Sequence, residues 1–157
     1  PDIQIEVRST RLTSENALKL TEGYDIIADC TDNFATRYLI NDVCVLTNRP
    51  MVSGAVYKTQ GIVGVFNFKN GPSFRCIHPE FIEDNKLNDA SNVGILSIIP
   101  GTIGTLQAIE IIKMAIGFGE ILSGKLLLMD VTTHMNYLVN VTKNSENFTL
   151  TNLQSNY

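Results

Sequence analysis

Asp32, Asn33 and Arg37 are the residues whose types and spacing best suit chemistry. Asp32 follows by three residues a compact apolar run bounded by acids, Tyr24-Asp-Ile-Ile-Ala-Asp29, and stands where a helical pattern begins. In an open parallel sheet the crevice at the carboxyl ends of the strands is where ligands bind. A carboxylate at that point can hold Mg²⁺ against phosphate, since Mg²⁺ sites typically take one or two protein carboxylates. An aspartate at a helix start can equally cap backbone N–H groups, the commoner role on spacing alone. The two roles are compatible, because a helix N-terminus also favours anions. Arg37, one turn on, can reach a phosphate or pair with Asp32 or Asn33 on the helix surface.

The remaining reactive residues are scattered. Cys30 ends the apolar run and Cys44 lies in an apolar helical stretch, so both read as small buried hydrophobes. Cys76 follows Arg75, whose charge can lower a thiol pKa, so a reactive thiol stands beside a plain structural one as its reading. His78 and His134 have no partner at metal-ligand spacing. Gly101-x-x-Gly104 matches part of a phosphate-binding glycine pattern, but no strand precedes it directly, and helix packing is its expected use. Neither GxGxxG nor GxxxxGK[ST] occurs.

Elements must hold these residues in place. Ile3–Val7 alternates like a strand, and Thr13–Leu20 reads as a short amphipathic helix that Gly23 stops. Tyr24–Asp29 reads as a buried strand and Phe34–Leu46 as a helix with one apolar face; Met51–Tyr57 is a further strand. This alternation predicts βαβ units and parallel pairing. Gly61–Phe68 then reads as a strand antiparallel to its predecessor, with a turn at 69–72. The polar, acidic stretch from His78 to Asn92 is a long loop, a length usually associated with function. Gly101–Ile116 is a helix apolar on most of its circumference and closed by Gly117, expected to be buried on several sides. Strands at 125–131 and 135–141 end the pattern, and the Asn/Ser-rich end from Asn144 to Tyr157 is expected to be partly frayed.

Composition narrows the functional classes. In 157 residues, 44% hydrophobic content against 18% charged excludes intrinsic disorder and predicts one domain with a sizeable core. Sixteen acids against twelve bases leave a net charge of −4, which provides no basic field for nucleic acid. The richest apolar stretch, Ile95–Ile116, is broken by polar residues, Gly and Pro, so no membrane span is expected. Three cysteines without CxxC spacing predict neither a disulfide framework nor a cysteine zinc site, and point to a reduced, cytoplasmic compartment.

Asp29-Cys-Thr-Asp-Asn-Phe-Ala-Thr-Arg37, then Asn41-Asp42, Pro50-Met-Val-Ser-Gly-Ala55, Gly61, Gly71-Pro-Ser-Phe-Arg-Cys76 and Gly101-Thr-Ile-Gly-Thr-Leu-Gln-Ala-Ile-Glu-Ile-Ile-Lys113, resemble in order the MoeB/ThiF/HesA family of ubiquitin-like-protein-activating enzymes. The likeness runs from about Pro1 to Val141. It implies an α/β fold with a Rossmann-like mixed sheet, the C-terminal half of the activating-enzyme fold. It also implies adenylation of the C-terminal glycine of a small ubiquitin-like sulfur-carrier protein with a Gly-Gly end, using ATP and Mg²⁺, and a homodimer. Asp32 corresponds to the family's aspartate beside ATP and Mg²⁺, with Asn33 next to it and Arg37 completing the nucleotide constellation. The segment 78–92 corresponds to the crossover loop over which the partner's tail is threaded, and the strands after Gly54 to part of the docking surface.

Three departures qualify what the resemblance implies. The family's Gly-rich nucleotide loop, ribose-binding acid and basic ATP-binding residues would precede Pro1, so the expectation is a C-terminal portion that does not bind ATP competently alone. Zinc-bearing members carry two CxxC pairs; here the first reads Ser73-Phe-Arg-Cys76, and the second falls near Asn144–Phe148, which has no cysteine, so zinc is not expected. The family's relay cysteine aligns near Ala90 or Ser91, neither of which is an equivalent nucleophile, so no catalytic residue is assigned and adenylation without a cysteine relay is expected. A non-catalytic binding or dimerisation module of the same fold is the alternative.

Overall fold

The structure is a computed structural model that describes residues 2–82 and 94–157. Its elements are α1 (Ala17–Thr21), β1 (Ile27–Asp29), α2 (Phe34–Leu46), β2 (Met51–Tyr57), β3 (Gln60–Phe66), α3 (Ile98–Ile116), β4 (Lys125–Asp130) and β5 (Met135–Asn140). Five strands form one sheet in the order β1-β2-β3-β4-β5. Only β1–β2 is parallel, with Asp29 opposite Ser53; the other three pairings are antiparallel. The α/β mixed sheet is as expected, but parallel pairing stops after one βα unit. For β2–β3 and β4–β5 the reason is connection length, since a tight hairpin cannot return a strand parallel; β3 and β4 are antiparallel although α3 lies between them in the chain. β2 passes to β3 through two residues, with Lys58 in the left-handed region at φ 54°, and β4 turns into β5 through a turn with His134 at φ 56°.

Two helices cover the sheet on opposite faces. Beneath α2, the buried Tyr38, Ile40 and Cys44 pack with Met51, Phe66 and Phe74. On the other face, Ile99 and Ile103 of α3 pack on Val63. The closeness of that second contact depends on strand glycines. A Cβ on Gly54 would lie 2.4 Å from Gln107 Oε1, and one on Gly61 would lie 2.3 Å from Ile103 Cδ1.

Several expectations need correction. Ile3–Val7 forms no strand: its apolar residues are more than four-fifths exposed, and no neighbouring strand among the described residues completes a ladder for them. The first helix is shorter than expected because Asn16 ties up the chain ahead of it, accepting from the Thr13 N–H and donating to the Arg11 carbonyl. α3 starts three residues earlier than expected, since Pro100 falls in the first turn, where its missing N–H costs nothing. Gly117, at φ 67°, closes the helix with its N–H on the Lys113 carbonyl.

Within this chain α3 is buried along one stripe, Ile99, Ile103, Gln107 and Glu110, not on several sides. Ile98, Ile109, Ile112 and Ile116 are exposed, and among the described residues no atom outside the helix's own backbone lies within 4 Å of a Cβ placed on Gly101 or Gly104. Their expected packing role therefore belongs, inside the chain, to Gly54 and Gly61. The continuous 19-residue helix is also long and apolar enough to cross a membrane, which the polar breaks in its sequence had argued against. Its Gln107 and Glu110 are nevertheless bonded to the sheet side: Glu110 pairs with Lys113 and accepts the Leu122 N–H.

The C-terminal residues are docked, not frayed. Leu153 and Tyr157 pack on Leu39 and Val43 of α2, and the Tyr157 hydroxyl donates to Asp42 Oδ2 at 2.8 Å. Asp42 is buried, and it also takes a bidentate pair from Arg75 at 2.8 and 2.7 Å and a hydrogen bond from Asn41 Nδ2. Charge-assisted, two-pronged pairing of this kind is the strong form of the interaction. It holds the tail, α2 and the 3-10 turn at Phe74–Cys76 together.

Candidate functional site

Asp29 is the last residue of β1 and is fully buried. Its carboxylate accepts from Arg37 Nε at 2.9 Å and Ser53 Oγ at 2.6 Å on one oxygen, and from Thr31 N and Oγ1 on the other. Arg37 Nη2 donates further to the carbonyls of Thr31 and Gly54. Arg37 therefore lies inside the molecule beneath the loop. It does not pair with Asp32 or Asn33 on the helix surface, as spacing had suggested, because one turn into α2 the helix faces the sheet. Asp29, absent from the sequence-based site, is the centre of the arrangement; its signals were a carboxylate ending an apolar strand eight residues before an arginine and its place at the head of the family-like run Asp29–Arg37.

The loop Cys30–Asn33 leaves this anchor. Asn33, not Asp32, is the N-cap of α2, with Oδ1 accepting the Thr36 N–H at 2.8 Å. Asp32 is exposed, with Oδ1 taking a 3.3 Å contact from Asn33 Nδ2. The structure thus places Asp32, Asn33 and Arg37 around one strand-to-helix junction, the first at its surface and the last beneath it. Cys30 is exposed, not buried as expected, because the strand ends one residue earlier; its thiol faces Gln107 Oε1 at 3.7 Å. A cavity of about 450 Å³ flanks the first turn of α2, with Ala35, Thr36, Arg11, Ser14 and Tyr157 in its wall. His78 packs edge-on to Phe34, with ring centres 5.4 Å apart. Burial, and then the nearby Arg37 charge, push its pKa down, which keeps the imidazole neutral at neutral pH. The Tyr38 hydroxyl donates to the carbonyls of His78 and Glu80, holding the start of the segment after His78. The rest of that loop from 83 to 92, including Ala90 and Ser91, lies outside the described residues.

An exposed carboxylate beside a capped helix N-terminus suits a cation bridging to phosphate, since the helix end favours the anion and the carboxylate the metal. Asp32 by itself is a single donor that could hold Mg²⁺ only together with phosphate oxygens and water, since no cluster of three or more metal-binding side chains occurs among the described residues. The other candidate centre differs. Ser73, Cys76, Asn144 and Asn147 come together, but Cys76 Sγ is a hydrogen-bond acceptor there, from Asn144 N at 3.3 Å and Asn147 Nδ2 at 3.5 Å, with Ser73 Oγ at 3.6 Å. One sulfur surrounded by amides and a hydroxyl is not a zinc donor set. Burial raises the Cys76 pKa, but the bonds from Asn144, Asn147 and Ser73 outweigh it, and the thiol lies below its ordinary value. Arg75, expected to cause such a shift, is engaged by Asp42 instead.

Two measurements check this geometry. Arg37→Met should lower stability by about 3–5 kcal/mol in urea unfolding, because it strands a buried carboxylate; a change below about 1 kcal/mol would show that the pair is not holding Asp29. In alkylation followed by mass spectrometry near neutral pH, Cys76 should react and Cys44 should not. Burial pushes the Cys44 thiol up to about 12, so it stays protonated, whereas the Cys76 thiolate persists to lower pH than an ordinary thiol. Equal labelling of the two would contradict the assignment.

Known proteins place the chain further. The profile of the ThiF family matches residues 1–150. The adenylyltransferase and sulfurtransferase MOCS3 of Drosophila yakuba is 42% identical over 130 residues, covering 83% of this chain and 29% of the relative. Its namesake from Culex quinquefasciatus is 46% identical over 128 residues, covering 82% and 29%. The chain thus spans under a third of the length of these relatives. Among solved structures, E. coli MccB with ATP aligns with a TM-score of 0.71 at 15% identity, covering 88% of this chain and 43% of that one. MccB with MccA-N7isoASN gives 0.73 at 15% identity, covering 88% and 44%. At that identity the likeness concerns the fold. With the family profile spanning nearly all of its length, the chain belongs to the ThiF family.

Proposed function

We propose that this chain forms part of an enzyme that uses MgATP to adenylate the C-terminal glycine of a small ubiquitin-like sulfur-carrier protein with a Gly-Gly end. The observation that carries this reading is the exposed Asp32 carboxylate at the junction of β1 and α2, held there by the buried Asp29–Arg37 pair. In the reaction a glycine carboxylate oxygen bonds to the α-phosphorus, the bond from that phosphorus to the β-phosphate bridging oxygen breaks, and pyrophosphate leaves with the electron pair. Magnesium supplies charge neutralisation on the phosphates. Asp32 would hold that cation, and Asn33 would offer its amide to the phosphate side, next to the positive end of α2. Arg37 works from beneath, by fixing the loop. The cavity against Ala35 and Thr36 adjoins this junction but is lined by none of Asp32, Asn33 and Arg37, so it is not assigned to the nucleotide. Ala90 and Ser91 provide no thiol, so transfer proceeds without a relay cysteine at that position. Free Cys30, Cys44 and Cys76 suit a cytoplasmic setting.

In ATP–pyrophosphate exchange by the full-length protein with a Gly-Gly-ended carrier, Asp32→Ala should reduce the rate by roughly 10²–10³-fold, the scale of losing one transition-state stabiliser. Unchanged exchange would remove Asp32 from the reaction and favour the alternative of a non-catalytic binding module.

A homodimer is part of the same proposal. Ile98, Ile109, Ile112 and Ile116 expose one apolar side of α3, with Gly101 and Gly104 open to close approach. Ile112→Glu should convert a dimer to a monomer in light scattering; a mutant that remains dimeric would move the interface elsewhere.

A further inference from the structure

Gln107 is one of two polar side chains on the buried stripe of α3, and only 5% of it is exposed. A polar group withdrawn from water on an otherwise apolar helix needs partners of its own. Its amide nitrogen donates to two backbone carbonyls on different strands, Asp29 O at 2.8 Å and Val52 O at 3.2 Å, while Oε1 faces the Cys30 thiol. These contacts fall where the parallel ladder ends: Ala28 lies opposite Val52, Asp29 lies opposite Ser53, and β1 goes no further. Past this point the backbone must leave the sheet, and Gln107 supplies a donor there from the α3 side. Such close approach of the helix is possible because Gly54 has no side chain.

Asp29 is consequently held from two directions. Arg37, Ser53 and Thr31 grip its carboxylate, and Gln107 grips its carbonyl. The next four residues are the loop that carries Asp32. We propose that Gln107 is a positioning residue for the adenylation site: by joining the ends of β1 and β2 it sets the direction in which the loop leaves the sheet, and so the position of the Asp32 carboxylate. This rests on the reading of Asp32 as the residue beside the nucleotide. It adds to that reading a second tether, one that links the site to the helix whose outer side is exposed.

The test uses the full-length protein with Gln107→Met, which keeps side-chain length and packing but removes the amide, and Gln107→Glu, which keeps the shape but replaces the donor with an oxygen. Both should lower kcat for ATP–pyrophosphate exchange by about 10- to 100-fold, the scale of a small displacement of reacting groups, with KM for the carrier protein unchanged. Amide hydrogen exchange should quicken at Thr31, whose N–H is held by the Asp29 carboxylate, and stay as in wild type in β3 and the interior of α2. A side chain needed only to fill space would be replaced adequately by Met, so wild-type kcat and protection in Gln107→Met would overturn the proposal. Exchange quickened throughout the sheet would overturn it too, by showing a general loss of structure. Absence of pyrophosphate exchange in the wild-type protein would instead defeat the adenylation reading; the hydrogen-exchange pattern then decides separately whether Gln107 holds the loop.

Discussion

The burial of the Asp29 carboxylate is the constraint on which the site depends. A carboxylate taken fully out of water at the end of an apolar strand is tolerable only with a counter-charge and hydrogen bonds to both oxygens. Arg37 supplies the charge, Ser53 a hydroxyl from the neighbouring strand, and Thr31 its N–H and hydroxyl from the loop. Because those partners come from α2, β2 and the loop itself, satisfying one carboxylate fixes three pieces of backbone against each other. The loop that emerges is stiffened at its base, and its exposed Asp32 sits in a defined place. Strand, loop and helix are thus organised around a group that need not contact any ligand.

Around this point the molecule divides into two differently built faces. On the α2 side, aromatic packing of Tyr38, Phe66 and Phe74 is reinforced by the buried Asp42, which gathers Arg75, Asn41 and the terminal Tyr157. On the α3 side, contact relies on the absence of side chains at Gly54 and Gly61, which brings a helix near enough for Gln107 to reach strand backbone. The same helix turns isoleucines outward. One element therefore combines a polar tether to the site with an apolar outer surface, so a partner seated on α3 would lie one helix diameter from the loop bearing Asp32.

The sequence made legible whatever depended on periodicity and local chemistry. The α2 and β2 bounds and the hairpin into β3 follow from spacing and residue type, and collinear motifs identified the family; the helix cap read at Asp32 belongs to its neighbour Asn33. Less legible were features set by distant partners. Arg37 reads as a surface residue until the sheet appears beneath it, and Cys30 reads as buried until the strand ends at Asp29. Ile3–Val7 has strand-like alternation, but a strand exists only with a neighbour to pair with. The apolar circumference of α3 implied burial on several sides, whereas within this chain one stripe is covered. Gln107 and Glu110 were the available clue, two polar residues at helical spacing on one side of an apolar helix.

The decisive distance is that from the Asp32 carboxylate to the metal in a crystal structure of the full-length protein with Mg²⁺ and a non-hydrolysable ATP analogue. A carboxylate oxygen should coordinate the metal at about 2.1 Å, with the phosphates against the N-terminus of α2 and the Arg37–Asp29 pair intact beneath. A nucleotide bound away from this junction, with Asp32 still facing solvent, would contradict the role given to Asp32.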